Sequence, residues 1–558
     1  MMFYAIALLS AIALGDDTTM HFTDVSQASG LGTTVPTTGN TKPTEILETK
    51  GTGLALIDLE GDGDLDLVLP NGATLADTEH GPGARVFRNE GGLVFTDFTE
   101  ESGLKHTRWS FGSTVGDVDA DGDDDLFIAC FGADALWIND GAGHFSDGTA
   151  RASVADTGWS TSAAFADLDQ DGDLDLYVTK YVDFDPLRPL ARANFKGVEV
   201  MGGPNGYGAT PDALFENLGD GVFVDRSAAS QILAARAAYG LNLAILDFTG
   251  DGKPDIFVGN DSQSNYLFKE KAPLQFIEDG LRSGIALNGE GIAQATMGIA
   301  IADVDGNGRP DIFTSNFSSD VNTLHLNLDG SNFDDRSNQF GVASPSRPLV
   351  GWASGFYDFD NDGDEDLLTV NGHTYPQASK ALTDSEFLQP PLLMERRGAR
   401  FERVANAGAL PGDARVDRTA VFADLDQDGD IDVIVGGIGH ALRVYRNDCI
   451  SPTTPAKNWI EVIPRDLRKG IGNRHAVGAL ITARASLLEA SEPTILTQRR
   501  WIWGGGPYMS NNAPEVHFGF PANVQQVDLE LRWPDGVIET KKAVPLGQRL
   551  RWTRMDSI

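Results

Sequence analysis

An all-β fold is what this sequence predicts: a seven-bladed β-propeller followed by a small C-terminal β domain. Three observations predict it. A nine-residue acidic loop between two strand-forming runs occurs seven times, beginning at Asp58, Asp117, Asp167, Asp247, Asp303, Asp358 and Asp424. Successive copies are 59, 50, 80, 56, 55 and 66 residues apart. Repetition with a period of about fifty residues and several short strands per period marks a propeller. After residue 456 the repeat ends, and alternating segments such as NWIEVIP, ALITARA and VDLELRWP follow.

The loop is the chemical unit. In the third copy, residues 164–178 read AFADLDQDGDLDLYV, with Asp167, Asp169, Asp171, Asp173 and Asp175 at alternate positions and Gly172 sixth. Oxygen donors converging around a glycine bend suit calcium, which takes about six to eight oxygens in a flexible shell. Without a cation, five carboxylates so close would repel one another. The first loop offers Asp58, Glu60, Asp62, Asp64 and Asp66, and the second Asp117, Asp119, Asp121, Asp123 and Asp125. The sixth offers Asp358, Asp360, Asp362, Asp364 and Asp366, and the seventh Asp424, Asp426, Asp428, Asp430 and Asp432. Loop four carries Asp247, Thr249, Asp251, Lys253 and Asp255, and loop five Asp303, Asp305, Asn307, Arg309 and Asp311. A Lys or Arg at position seven is compatible with a metal only if that position gives its backbone carbonyl, as in other Asp-loop calcium sites. Side-chain ligation is therefore expected from positions one, three, five and nine, with weaker binding at loops four and five. An EF-hand is excluded, since it needs Glu at the twelfth position and these loops have Leu69, Ile128 or Val178 there.

Each repeat runs in a fixed order: a strand, the loop, an apolar strand such as LDLVLP, a strand ending at Asn, a Gly- or Asp-rich turn and an F-x-D strand. Third strands are visible at residues 86–89, 136–139, 214–217 and 324–327. The seventh repeat stops at residues 444–447 without its last strand, while HFTDVSQASGL at 21–31 matches the end of a repeat. The N-terminal strand is therefore expected to complete the last blade, which removes two exposed sheet edges. Two insertions, 180–211 and 371–391, are too long for plain turns and are candidates for a partner surface.

Residues 1–15 (MMFYAIALLSAIALG) read as a signal peptide, with an apolar core and a small-residue end but no positive n-region. The propeller is assigned to 16–450, a linker to 451–456 and the C-terminal domain to 457–554. No later run is apolar enough for a membrane helix. The net charge is −38, from 81 Asp and Glu against 43 Lys and Arg, and the seven loops hold 33 of the acids. Such a surface disfavours nucleic acid and anionic membranes. Cys130 and Cys449 are the only cysteines, so no disulfide framework exists and only one pairing is open.

The D-x-D-x-D-G-x-x-D loops resemble the FG-GAP/VCBS repeats of integrin α-subunit propellers. With FRNEGGLVFTDFT (87–99) and NLGDGVFVDRS (217–227), the chain resembles the bacterial and animal cartilage acidic protein family. The C-terminal ASPIC/UnbV domain of that family is matched by GIGNRHAVGAL (470–480), QRRWIWGGGPYMSNN (498–512) and EVHFGF…LELRWPDG (515–536). Departures are Pro507-Tyr508-Met509-Ser510-Asn511 where the family has GY-x-SQ, and the missing Cys pair in the third-blade insertion. The resemblance implies a secreted calcium-binding propeller with an adhesive or scaffold role, a protein or glycan partner and a place outside the cell or in its envelope. It supplies no catalytic residues. The alternative is an extracellular lyase or hydrolase with a site on the insertions or the C-terminal domain. For that alternative His373 and His475 are the residues to test, with Arg474 and Asn473 as a candidate anion site.

Overall fold

The computed structural model describes residues 20–449, 458–487 and 494–556. The leader at 1–15 and the linker at 451–456 lie outside the described residues. The chain is nearly all β. Among the described residues, seven four-stranded antiparallel sheets follow one another along residues 22–447. In the third, Ser160–Ala166 pairs with Asp175–Lys180, then Ala213–Asn217, then Phe223–Asp225. The others repeat this meander, and in the seventh the outer strand is Phe22–Asp24, paired with Arg443–Asn447.

The first strand of each sheet faces the centre and is covered on both sides, which explains its composition. STSAAFA in the third sheet and GLNLAIL in the fourth are buried at every residue, and their side chains are small or apolar except Asn242, whose Nδ2 donates to Gly506 O. Neighbouring sheets share apolar cores. Ala164 and Ala166 pack with Leu243 and Ile245 between sheets three and four. Leu54 and Leu56 pack with Val421 and Ala423 between sheets one and seven, so the array closes into a propeller-like ring. Each buried Leu, Ile or Phe contributes about 1.5–3 kcal/mol.

A polar stitch ties six of the seven sheets to the one before. The Asn ending the third strand sends its Nδ2 to a carbonyl of the preceding acidic loop. Asn139 reaches Leu59 O at 3.1 Å, Asn217 reaches Val118 O at 2.8 Å, and Asn89 reaches Leu425 O at 3.1 Å across the closure. Asn327 and Asn447 do the same to Phe248 O and Phe359 O. In sheet six Arg396 takes the place of Asn and reaches Val304 O at 2.7 Å. In sheet four the position is Glu270, whose carboxylate instead accepts the N–H of Leu274.

The C-terminal residues form two sheets on a common core. Trp459–Asp466 lies between Val516–Gly519 and Gln548–Arg554, and the second sheet runs Thr494–Trp501, Leu480–Leu487, Gln526–Arg532, Ile538–Pro545. Trp533, Trp552, Phe518 and Phe520 fill the space between them. This domain packs directly against the ring. It sits on the loop face of the ring and sends residues 504–512 into the central channel. Gly504–Gly505 adds a strand to the first strand of sheet four. Tyr508 and Met509 join the central core, Tyr508 edge-on to Trp352 at 5.1 Å. Asn511 bridges Leu54 and Leu56 of the first sheet through its backbone.

At the other mouth of the channel the two insertions meet. Ala193–Phe195 and Val198–Val200 form a hairpin, and Phe195 packs against His373 and Tyr375 of the second insertion and Phe317. His373 is fully buried there, its Nδ1 accepting the N–H of Tyr375 and its Nε2 3.3 Å from Ser318 Oγ. Cys130 and Cys449 are both free thiols.

Candidate metal centres on the loop face

Every acidic loop is built the same way, and three groups of hydrogen bonds set its shape. The first Asp accepts the N–H of the sixth-position glycine, as in Gly172 N to Asp167 Oδ2 at 3.2 Å and Gly429 N to Asp424 Oδ2 at 2.9 Å. The fifth residue accepts the seventh N–H, as in Asp173 N to Asp171 Oδ1 at 2.9 Å. The ninth Asp ties the loop to its sheet. Asp175 Oδ2 accepts Leu168 N–H and Oδ1 accepts Asn217 N–H, both at 2.9 Å. The same pair of bonds recurs at Asp66, Asp125, Asp311 and Asp432.

Two residues per loop adopt a left-handed backbone. The sixth is always glycine, with φ between 84° at Gly252 and 115° at Gly122. The fourth is left-handed too, at Gly61, Ala120, Gln170, Gly250, Gly306, Asn361 and Gln427. Because the fourth position tolerates four residue types, its sequence carried no signal of this bend.

Five loops gather three carboxylates whose oxygens all lie within 4.8 Å of one another. Loops two, five, six and seven bring together positions one, three and nine: Asp117, Asp119 and Asp125; Asp303, Asp305 and Asp311; Asp358, Asp360 and Asp366; Asp424, Asp426 and Asp432. Loop three brings together Asp167, Asp169 and Asp171. Loop five does so although Arg309 lies in it. Its guanidinium points away, toward Gly250 and Gly330, and Lys253 in loop four likewise reaches Lys271 O at 3.1 Å. Loops one and four form no such group. Glu60 is drawn off to Arg88 Nε at 2.8 Å, and Thr249 replaces the third carboxylate. The fifth-position residues Asp62, Asp121, Asp251, Asn307 and Asp362 are exposed, Asp428 is half-buried, and Asp171 alone of that position joins a gathered set. Asp64, Asp123, Asp173, Asp364 and Asp430 at position seven join none.

The residues fit a hard divalent cation. The donors are oxygens throughout, and Asp119, Asp167, Asp360 and Asp426 each hold a buried Oδ1 that meets no hydrogen-bond partner in the protein. Burial first, and the neighbouring carboxylates after it, push these groups upward: Asp167 to about 7, Asp175 to about 9, Asp117 to about 7 and Asp360 to about 7. Carboxyls so raised would hold protons near neutrality unless a cation compensates them.

The C-terminal domain adds its own charges to this face. Arg474 Nε lies 2.6 Å from Asp117 Oδ2, so the anion it holds is a loop carboxylate rather than an external ligand. Asn473 closes its own turn, its Oδ1 accepting Val477 N–H at 2.8 Å. His475 pairs through Nε2 with Asp124. A cavity of about 130 Å³ lies between domain and ring, lined among others by Asp58, Asp124, Arg465, His475 and His517.

Comparison with known proteins finds matches in both parts of the chain. The FG-GAP-like repeat matches residues 117–178 and 247–314, and the domain described as ASPIC and UnbV matches residues 470–557. Cartilage acidic protein 1 of Xenopus tropicalis is 26% identical over 344 residues, covering 59% of this chain and 48% of the relative. The Mus musculus protein of the same name is 25% identical over 339 residues, covering 58% and 47%. The chain thus spans about half the length of the curated relatives it matches. Among solved structures, rhamnogalacturonan lyase YesW is similar with a TM-score of 0.38 and 14% identity, covering 77% of this chain and 76% of that one. No helix among the described residues is long and apolar enough to cross a membrane.

Proposed function

We propose that this chain, which carries FG-GAP-like repeats and an ASPIC and UnbV domain, is a secreted or cell-envelope calcium-binding propeller that acts as a binding or scaffold module. The observation that carries the reading is the gathering of three carboxylates at five loops, four of them with a buried, unpartnered oxygen. Calcium here is structural. It joins the two innermost strands of a sheet at one rim and cancels repulsion among buried acids, within a shell that the loop's own hydrogen bonds have already shaped. Extracellular calcium modules work at about 10⁻⁴ to 10⁻³ M, a range in which these sites stay filled outside the cell. Relatives named for cartilage support an extracellular setting.

A protein or glycan ligand is proposed for the face opposite the loops, where the two insertions pack together through Phe195, Phe317 and Tyr375. Elemental analysis of protein dialysed against millimolar calcium, paired with thermal melting with and without EDTA, tests the calcium reading. Bound calcium and a lower melting temperature in EDTA are expected. Protein that carries no calcium and melts identically in both would refute it.

A further inference from the structure

We infer that the C-terminal domain reads the conformation of all seven acidic loops at once, so that its seating on the ring depends on the loops being loaded. This rests on the calcium reading above and extends it from the ions to what they hold in place.

The contacts reach every loop. Arg549 Nη1 donates to Gly63 O of the first at 3.1 Å. Arg474 meets Asp117 Oδ2 and donates to Ala120 O of the second at 3.2 Å. The backbone N–H groups of Gly472 and Asn473 both donate to Gly172 O of the third at 2.9 Å. Arg532 faces Asp247 Oδ2 of the fourth at 3.9 Å, and Arg499 meets Asp303 Oδ2 of the fifth at 3.1 Å. Asn458 Nδ2 donates to Asn361 O of the sixth at 2.8 Å, and His517 Nε2 lies 3.1 Å from Gly429 O of the seventh.

Most of these partners belong to the bends of the loop. Ala120, Asn361, Gly63, Gly172 and Gly429 are the fourth and sixth positions, the two left-handed bends of the loop. Their carbonyls point at the domain because of that backbone conformation. Where an arginine takes the first carboxylate, it takes Oδ2, the oxygen already holding the sixth-position N–H in loops two and four. Oδ1 of the same carboxylate turns inward, accepting Asp121 N–H in loop two and Asp251 N–H in loop four. The guanidinium therefore approaches the carboxylate from outside the loop and leaves Oδ1 turned into it.

Two forces would give opposite outcomes. Residues 457–558 hold 14 Lys and Arg against 10 Asp and Glu, so the domain is net positive while the rest of the chain carries the acidic excess. If general attraction between these charges governed docking, adding calcium would weaken it. Contacts that need closed loops predict the reverse, and by linkage a seated domain would also raise the affinity of the loops for calcium. Attraction over distance is screened beyond about 8 Å at physiological salt, whereas the contacts above are at hydrogen-bond range. The specific contacts therefore decide the sign.

The test is a full-length chain with a protease site placed within residues 451–456, cleaved after purification, with calcium content measured on the same sample. Dissociation of the two pieces is then followed in calcium and in EGTA. Separation at least about tenfold faster in EGTA is expected. Equal or slower separation in EGTA from protein that demonstrably binds calcium overturns the inference and leaves the calcium reading standing. A sample that binds no calcium overturns both. As a reciprocal check, the uncleaved double variant Arg474→Ala with Arg499→Ala should bind calcium more weakly than wild type, with Arg474→Lys and Arg499→Lys restoring part of the loss. Unchanged affinity in the Ala variant would count against the inference.

Discussion

Replacing Tyr508 by alanine tests whether the C-terminal domain is part of the core of the ring or merely rests on it. Tyr508 is fully buried among residues from several sheets, with its ring edge-on to Trp352 at 5.1 Å and 66°. Truncating a buried aromatic to alanine costs about 3–5 kcal/mol. The edge-to-face pair accounts for about 0.5–1.5 kcal/mol more. The cavity cannot collapse readily, because the surrounding strands are fixed by their own ladders and Arg418 holds the Trp352 ring, stacking over it at 4.0 Å. A loss of about 4 kcal/mol is therefore expected. Guanidinium unfolding of the whole chain in calcium, followed by tryptophan fluorescence, measures it, and Tyr508→Phe should stay within about 1 kcal/mol of wild type because the ring contacts are kept. A Tyr508→Ala loss below about 1 kcal/mol would refute the reasoning. So would two resolved transitions of which the ring's is unmoved.

Other outcomes follow from the same geometry. Asp167→Ala combined with Asp171→Ala removes two of the three carboxylates gathered in loop three, so calcium stoichiometry should fall by about one, and at a hundredfold excess over Kd the chain should lose about 2.7 kcal/mol of ligand-linked stability by titration and melting. Gly429→Ala would place a Cβ 1.9 Å from the Trp459 ring at a φ of 103°, so it should dislodge the C-terminal domain from loop seven and raise protease sensitivity near residue 459. His106 and His373 are buried neutral, with proton affinities lowered by burial to about 4 and about 3. An unfolded imidazole takes its proton near pH 6.5 and these do not, so unfolding takes up protons and stability falls as pH drops below about 6.5, by about 1.4 kcal/mol per pH unit for each. The decline should level off below the folded values. Denaturation midpoints between pH 7 and 5 in calcium would show the fall, and a His373→Gln variant should show a shallower one.

The parts of this architecture that repeat were legible in the sequence, because repetition multiplies a weak local signal. The D-x-D-x-D-G pattern marks the loops, and the Asn ending the third strand in five of the seven sheets marks the register that the stitch uses. At the ninth position both oxygens of Asp66 and Asp175 accept N–H groups, as do those of Asp125, Asp311 and Asp432, which also join gathered sets. Spacing marks the ninth position as an oxygen donor but carries no sign that it also ties the loop to its sheet. Glu60 looked equivalent to the Asp at the third position of its neighbours. One more methylene lets it reach Arg88, a residue 28 positions away that only the third strand brings near. The seating of the C-terminal domain was illegible for a related reason. Arg474, Arg499 and Arg532 are scattered over nearly sixty residues and converge only after two sheets have formed, and Gly504–Gly505 is too short to register as a strand of another domain.

Glu270 makes one junction of the ring different from the other six. Six junctions between consecutive sheets are laced by an Asn or Arg reaching back to the previous loop, but at the junction of sheets three and four that reach is absent because the carboxylate turns to its own hairpin. The segment from the C-terminal domain lies across this gap, pairing with Ala244 and Ile245 on one side while Gly504 rests against Phe165 O on the other. The domain thus adds a backbone ladder at the one junction that lacks the backward reach, beside the bonds by which Thr161, Ser162 and Gln170 already cross it to Gly240, Leu241 and Gly252.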